Sequence, residues 1–134
     1  MARGLEKHLE RQRQLSLFGK DLTRRSGACC ELCSASGVKL EVYEVPPTAA
    51  EPVFEECLFI CEECKEALAR PKSASPDRWR NLIETVWSEV PAVQVMAVRI
   101  LDSLSKEHPW AAEILDQVYL DEEIEEWVKK QALL

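Results

Sequence analysis

Cys30-Glu31-Leu32-Cys33 and Cys61-Glu62-Glu63-Cys64 decide how this chain is read. The two Cys-x-x-Cys pairs are separated by 27 residues. Each pair can curl into a knuckle that offers two thiolates, and two knuckles can close on one tetrahedral zinc ion. Two alternatives compete with that site. Buried free cysteines explain burial but not pairing. A thioredoxin-like redox motif opens a helix after a core strand, and it does not come twice. Cys30, Cys33, Cys61 and Cys64 are therefore the expected ligands of a structural Zn2+. Cys29, beside the first ligand, is an alternative thiolate that competes with Cys30 for zinc, the sequence leaving open whether it replaces it; Cys57 belongs to the apolar run before the second knuckle.

The size of the chain makes the metal matter. At 134 residues it is one modest domain or two small ones. The stretch from 22 to 68 is too short and polar to bury a large core. Closing a four-thiolate site contributes on the order of 10 kcal/mol in zinc-binding peptides, so folding there is expected to depend on metal.

The same cysteines imply reduced thiols and hence a cytoplasmic setting. No apolar run of about 18 residues is present, nor a signal peptide with a basic start and apolar centre. Net charge is −7, unevenly spread: residues 1–25 carry seven Lys/Arg against three acids, leaving −11 for the rest. An acidic body argues against general DNA binding, and only the N-terminal segment offers a basic surface for phosphates. Arg3, Lys7, Arg11 and Arg13 also read as the solvated face of an ordinary helix.

Local patterns divide the chain into a basic helix within 1–19, a zinc-binding module over 20–70 and a helical domain over 76–134. Leu5, Leu9 and Gln12 share one face of a helix over 3–14. A short helix over 20–25 stops at Ser26-Gly27. Val38-Lys39-Leu40-Glu41-Val42-Tyr43-Glu44-Val45 alternates as a half-buried strand does, and Pro46-Pro47 ends it. Cys57-Leu58-Phe59-Ile60 reads as a second strand, and 62–69 as a helix whose N-terminus meets the metal. Pro71-Lys72-Ser73-Ala74-Ser75-Pro76 is the linker.

Beyond the linker, Ser75 caps a helix with Pro76 in its first turn and Trp79, Leu82, Ile83, Val86 and Trp87 on its apolar face. A second helix starts near Pro91 and runs to the break at His108-Pro109. A third carries Trp110, Ile114, Leu115 and Val118. A fourth is capped by Asp121, with Glu122 and Glu123 first and Lys129-Lys130 last. The tryptophans and Met96 are read as core, and His8 and His108 as surface or capping groups. The fold class is α+β: a zinc-ribbon or treble-clef-like module followed by three to four helices.

Three stretches carry a family resemblance. They are Leu22-Thr23-Arg24-Arg25-Ser26-Gly27 through Cys33, Leu40-Glu41-Val42-Tyr43-Glu44-Val45-Pro46-Pro47, and Cys57-Leu58-Phe59-Ile60-Cys61-Glu62-Glu63-Cys64. Further on stand Trp79-Arg80, Val86-Trp87-Ser88-Glu89-Val90-Pro91-Ala92-Val93-Gln94-Val95-Met96-Ala97 and Tyr119-Leu120-Asp121-Glu122-Glu123. Across residues 20–127 the chain resembles the bacterial PhnA family. The resemblance implies a zinc-ribbon-like N-terminal domain and a name taken from an alkylphosphonate operon, and it carries no hydrolase activity with it. The sequence departs from that family in ending at Leu134 without the usual β-rich C-terminal domain, and in placing Ser34 where glycine is common.

A more distant resemblance is to zinc-stapled HNH nucleases, which share the knuckle–strand–knuckle–helix layout. Their chemistry needs histidines as general base and metal ligands. At the matching positions stand Tyr43-Glu44, and Lys65 and Leu68; Glu44 can touch a metal, but no imidazole remains. The expectation is a non-catalytic module whose partner is a protein or nucleic acid, with a degenerate nuclease, or a regulatory nucleic-acid binder acting through the basic helix, as alternatives. No membrane contact and no small-molecule substrate is indicated.

Overall fold

In the computed structural model, which describes residues 2–71 and 75–133, helices dominate and one hairpin sits among them. In chain order come α1 (Ala2–Ser16), α2 (Gly19–Ser26), β1 (Leu40–Glu44), β2 (Cys57–Cys61), α3 (Glu62–Ala69), α4 (Leu82–Thr85), α5 (Pro91–Ser105), α6 (Pro109–Gln117) and α7 (Glu122–Lys129). Short 3-10 turns at Phe54–Glu56 and Pro76–Trp79 precede β2 and α4. The protein is thus mixed helix and sheet, with seven α-helices and a two-stranded antiparallel sheet among the described residues. No helix of the described residues is long and apolar enough to cross a membrane.

The hairpin organises the rest because both of its faces are covered. β1 and β2 pair from Leu40 opposite Cys61 to Glu44 opposite Cys57. Leu58 and Ile60 point into the main core, with Val45, Leu68, Trp79, Leu82 and much of α5. Cys57 faces the other way, into a small cluster with Leu15 of α1 and Leu22 of α2, joined by Phe18, Val42, Phe54 and Phe59. Side chains alternate sides along a strand, so one five-residue strand serves two cores. The alternation in 38–45 therefore does not separate a wet face from a dry one: all five β1 residues are half-buried. Val38 stays outside the strand and exposed, after Gly37 turns the chain with a positive φ of 70°.

α5 is the central helix. Nine of its residues are buried, from Ala92 to Leu101, as expected of a helix apolar on nearly all sides. α6 and α7 pack on it and cover it. The main core runs without a break from the cysteine knuckles to α5. Lys72, Ser73 and Ala74, the centre of the expected linker, lie outside the described residues.

The stretch after the linker corrects the expectation of one continuous amphipathic helix. Residues 76–88 instead form a 3-10 turn and a single α-turn, held largely by i→i−3 bonds such as Ile83 N–H to Arg80 (3.2 Å) and Trp87 N–H to Glu84 (3.1 Å). Three residues per turn in place of 3.6 rotates later positions off the buried face. Trp79, Leu82 and Val86 are buried, while Ile83 and Trp87 are exposed, so Trp87 is not core. Ser75 and Asp121 occupy N-cap positions without a capping side-chain bond.

Arg99, on α5, is the one buried charged residue among those described. It has no carboxylate partner and donates instead to the carbonyls of Pro46, Trp127 and Val128. Burial holds its pKa below the usual guanidinium value, opposed by the nearby Tyr43. The last carbonyls of α7 form the negative end of the helix dipole, which favours a cation there. One side chain thus ties the β1 exit, α5 and α7 together. Arg99→Met should leave the Pro46 and Val128 carbonyls without a donor, Trp127 keeping that of Lys130 N–H, and cost about 2–4 kcal/mol, read as a shift in the urea midpoint.

Candidate metal centre

The first knuckle is built from left-handed backbone. α2 ends at Gly27, whose φ of 66° lets Ala28 N–H return to the Thr23 carbonyl at 3.0 Å. A tight turn follows, closed by Ser34 N–H to the Cys30 carbonyl (2.9 Å) and Cys30 N–H to the Ala35 carbonyl (2.9 Å). Ser34 sits at φ 66°, a conformation that favours glycine. The second knuckle uses ordinary elements: Cys61 ends β2 and occupies the N-cap position of α3, and Cys64 lies in its first turn.

Glu31, inside the first Cys-x-x-Cys, fastens one knuckle to the other. Its N–H donates to the Phe59 carbonyl (2.9 Å), and its carboxylate accepts from Phe59 N–H (2.8 Å). Arg25 clamps the same carboxylate at 2.7 and 3.0 Å, and also donates to the Cys57 carbonyl. The first knuckle thereby lies along the free edge of β2, at the end where Cys61 leaves the strand.

The result brings all four expected cysteines together. Their sulfurs lie within 4.8 Å of one another, and Cys30, Cys61 and Cys64 are buried. Cys30 Sγ is 3.7 Å from Cys64 Sγ, and Cys33 Sγ is 3.7 Å from Cys61 Sγ. A tetrahedron of sulfurs at about 2.3 Å from a central zinc has edges of about 3.8 Å, so the donor set fits a tetrahedral cation of that size. The cluster is compatible with metal binding. Among the described residues it is the one group of three or more His, Cys, Asp or Glu ligand atoms so arranged.

The sulfurs also hydrogen-bond in pairs, Cys30 with Cys64 and Cys33 with Cys61. The hydrogen bond between Cys30 and Cys64 holds Cys30 down to about 4, opposed by burial and helped by backbone N–H groups. That bond, together with burial, pushes Cys64 up. Burial pushes Cys33 up to about 11. A divalent cation reverses this logic, because coordinating thiols are deprotonated outright. Metal uptake at neutral pH therefore displaces protons from Cys33 and Cys64.

Residues beyond 70 complete the site. Arg78 Nη2 reaches Cys64 Sγ at 3.5 Å and Cys61 Sγ at 3.6 Å, while Nη1 pairs with Glu63 at 3.0 Å. Burial works against its charge, but the sulfurs outweigh burial and leave its pKa raised. Asn81 Nδ2 (3.3 Å) and Thr85 Oγ1 (3.1 Å) both donate to the Leu32 carbonyl of the first knuckle. Sequence reasoning missed Glu31, Arg78, Asn81 and Thr85. Their roles follow from tertiary approach, and nothing local separates Arg78, Asn81 and Thr85 from Asp77, Arg80 and Glu84 beside them.

The remaining candidates stand apart. Cys29 Sγ turns to the Gly27 carbonyl at 3.5 Å and is outside the cluster. Cys57 is buried in the smaller core, where burial pushes its pKa up to about 12. Glu44 is held by both arms of Arg11, at 2.6 and 2.8 Å, and pairs in register with Cys57, four residues from Cys61. That offset is about 13 Å along a strand. His8 is exposed on α1, and His108 is the N-cap residue of α6.

No family model matches the chain, and neither a curated protein nor a solved structure does. Serine substitution separates the six cysteines directly. Cys30→Ser, Cys33→Ser, Cys61→Ser and Cys64→Ser should each weaken cobalt binding and cut the thiolate-to-cobalt absorption by about a quarter or more, whereas Cys29→Ser and Cys57→Ser should leave both unchanged.

Proposed function

We propose that this protein is a structural zinc protein in which Cys30, Cys33, Cys61 and Cys64 bind one Zn2+ and order an interaction module. The observation that carries this reading is the pair of 3.7 Å sulfur–sulfur edges within one buried cluster. Four thiolates are the donor set of structural zinc sites; catalytic zinc keeps a position open for water. A saturated ion has no bound water to activate, so the reading is non-catalytic. Two knuckles about a short hairpin, the second leading into a helix, favour a zinc-ribbon or treble-clef-like description of residues 20–70. Kinship with the PhnA family belongs to the same proposal and rests on the motifs quoted above. Reduced thiols fit a cytoplasmic setting.

The degenerate-nuclease reading is weaker, since Glu44 is paired with Arg11 and no histidine adjoins the cysteines. A nucleic-acid partner bound through α1 is the second reading. Its support is that residues 3–10 of α1 are all exposed, Arg3 and Lys7 among them, leaving the helix anchored by its second half through Arg11 and Leu15.

Elemental analysis of protein purified without added metal should find one zinc per chain. Removing it with a chelator should cost amide-exchange protection first at 28–36 and 57–69; protection unchanged without metal would contradict the structural role. If α1 meets phosphates, affinity for a short duplex should fall by orders of magnitude between about 0.05 and 0.5 M salt, and binding that persists at the higher value would count against that partner.

A further inference from the structure

We propose that Arg78 is a positioning residue of the metal centre, neutralising the tetrathiolate from outside and setting how tightly and how long the ion is held. This inference rests on the four-thiolate reading above. A divalent ion with four thiolates carries a net charge of −2, and Glu62 and Glu63 stand inside the second Cys-x-x-Cys and add to it. A largely buried anion of that size needs a compensating cation with hydrogen bonds to its ligands. Among the described residues, Arg78 is the one cation hydrogen-bonded to the sulfurs.

Its geometry suits the task. One nitrogen spans Cys61 and Cys64, the pair carried by β2 and α3, and the other pairs with the Glu63 carboxylate, so the same guanidinium offsets both charges. Nε is buried and has no partner among the described residues, so the guanidinium is held against the cluster at a desolvation cost that the anion must offset. The backbone cannot swing away freely. Trp79, next in sequence, is only 4% exposed, and Asn81 and Thr85 fasten the following turn to Leu32. The planar fork provides directed donors that a lysine ammonium does not reproduce.

Hydrogen bonds to a thiolate lower the energy of its lone pairs, which both weakens its attack on electrophiles and raises the energy of sulfur-to-metal charge transfer. The test uses the full chain loaded with Co(II) as probe, and with Zn2+ in competition against a chromophoric chelator. Arg78→Met should lose about 10–100-fold in zinc affinity, the range typical when a partner of a metal ligand is removed. It should also move the thiolate-to-cobalt band to lower energy. Arg78→Lys should recover part of the affinity, because the charge remains. Asn81→Ala combined with Thr85→Val loosens the same turn without touching the charge, and should leave the band in place.

Unchanged affinity and band in Arg78→Met would overturn the proposal. So would equal losses in Arg78→Met and the Asn81/Thr85 double variant with the band unmoved in both, since packing alone would then account for them. Where Arg78→Met is too unstable to isolate, Arg78→Lys decides: a displaced band supports the role and an unmoved band overturns it. Wild-type protein that takes up no cobalt contradicts the four-thiolate reading itself, a result distinct from these.

Discussion

The meeting of two sulfur pairs separated by 27 residues is the constraint on which the rest of the structure depends. Cys30 and Cys33 come from a turn with little regular structure to stabilise it, and Cys61 and Cys64 from a strand-to-helix junction. Neither knuckle buries enough on its own to hold its shape. Their closure defines the register at the β2 edge, where Glu31 exchanges backbone and side-chain bonds with Phe59. A cation at the centre of the four sulfurs would turn a set of mutually disfavoured buried thiols into a bonded group and supply the missing stabilisation.

That closure is shared with the helical half. The segment after the linker lays Arg78 against the sulfurs and Asn81 and Thr85 against the first knuckle, while Trp79, Leu82 and Val86 enter the core that α5 completes. Disturbing the cluster therefore reaches beyond residue 70. On the opposite face of the hairpin, α1 and α2 close a smaller cluster around Cys57. The first half of α1 extends past this packing with Leu5 and Leu9 exposed.

Much of this was legible in the sequence where the signal is local. The cysteine spacing identified both knuckles. Proline and glycine punctuation placed the ends of α2, α5 and α6, and α3 runs over the residues expected of it. Local periodicity failed where tertiary bonds compete with it. Residues 76–88 carry a helical pattern, yet three polar side chains reaching back to the knuckles tighten the backbone into 3-10 turns and expose Trp87. Arg99 was illegible for a related reason: nothing in its neighbourhood along the chain announces three carbonyls that converge from Pro46 and the end of α7. Glu31 lies between two ligands with nothing along the chain to mark it, and it is the bolt between knuckles.

X-ray absorption at the metal edge of the protein as purified tests the central claim most directly. The account predicts zinc with a single shell of four sulfurs at about 2.3 Å and no nitrogen or oxygen neighbour near 2.0–2.1 Å. A mixed sulfur and oxygen shell would mean an open coordination position and a different function. The absence of any bound metal would contradict the account at its foundation.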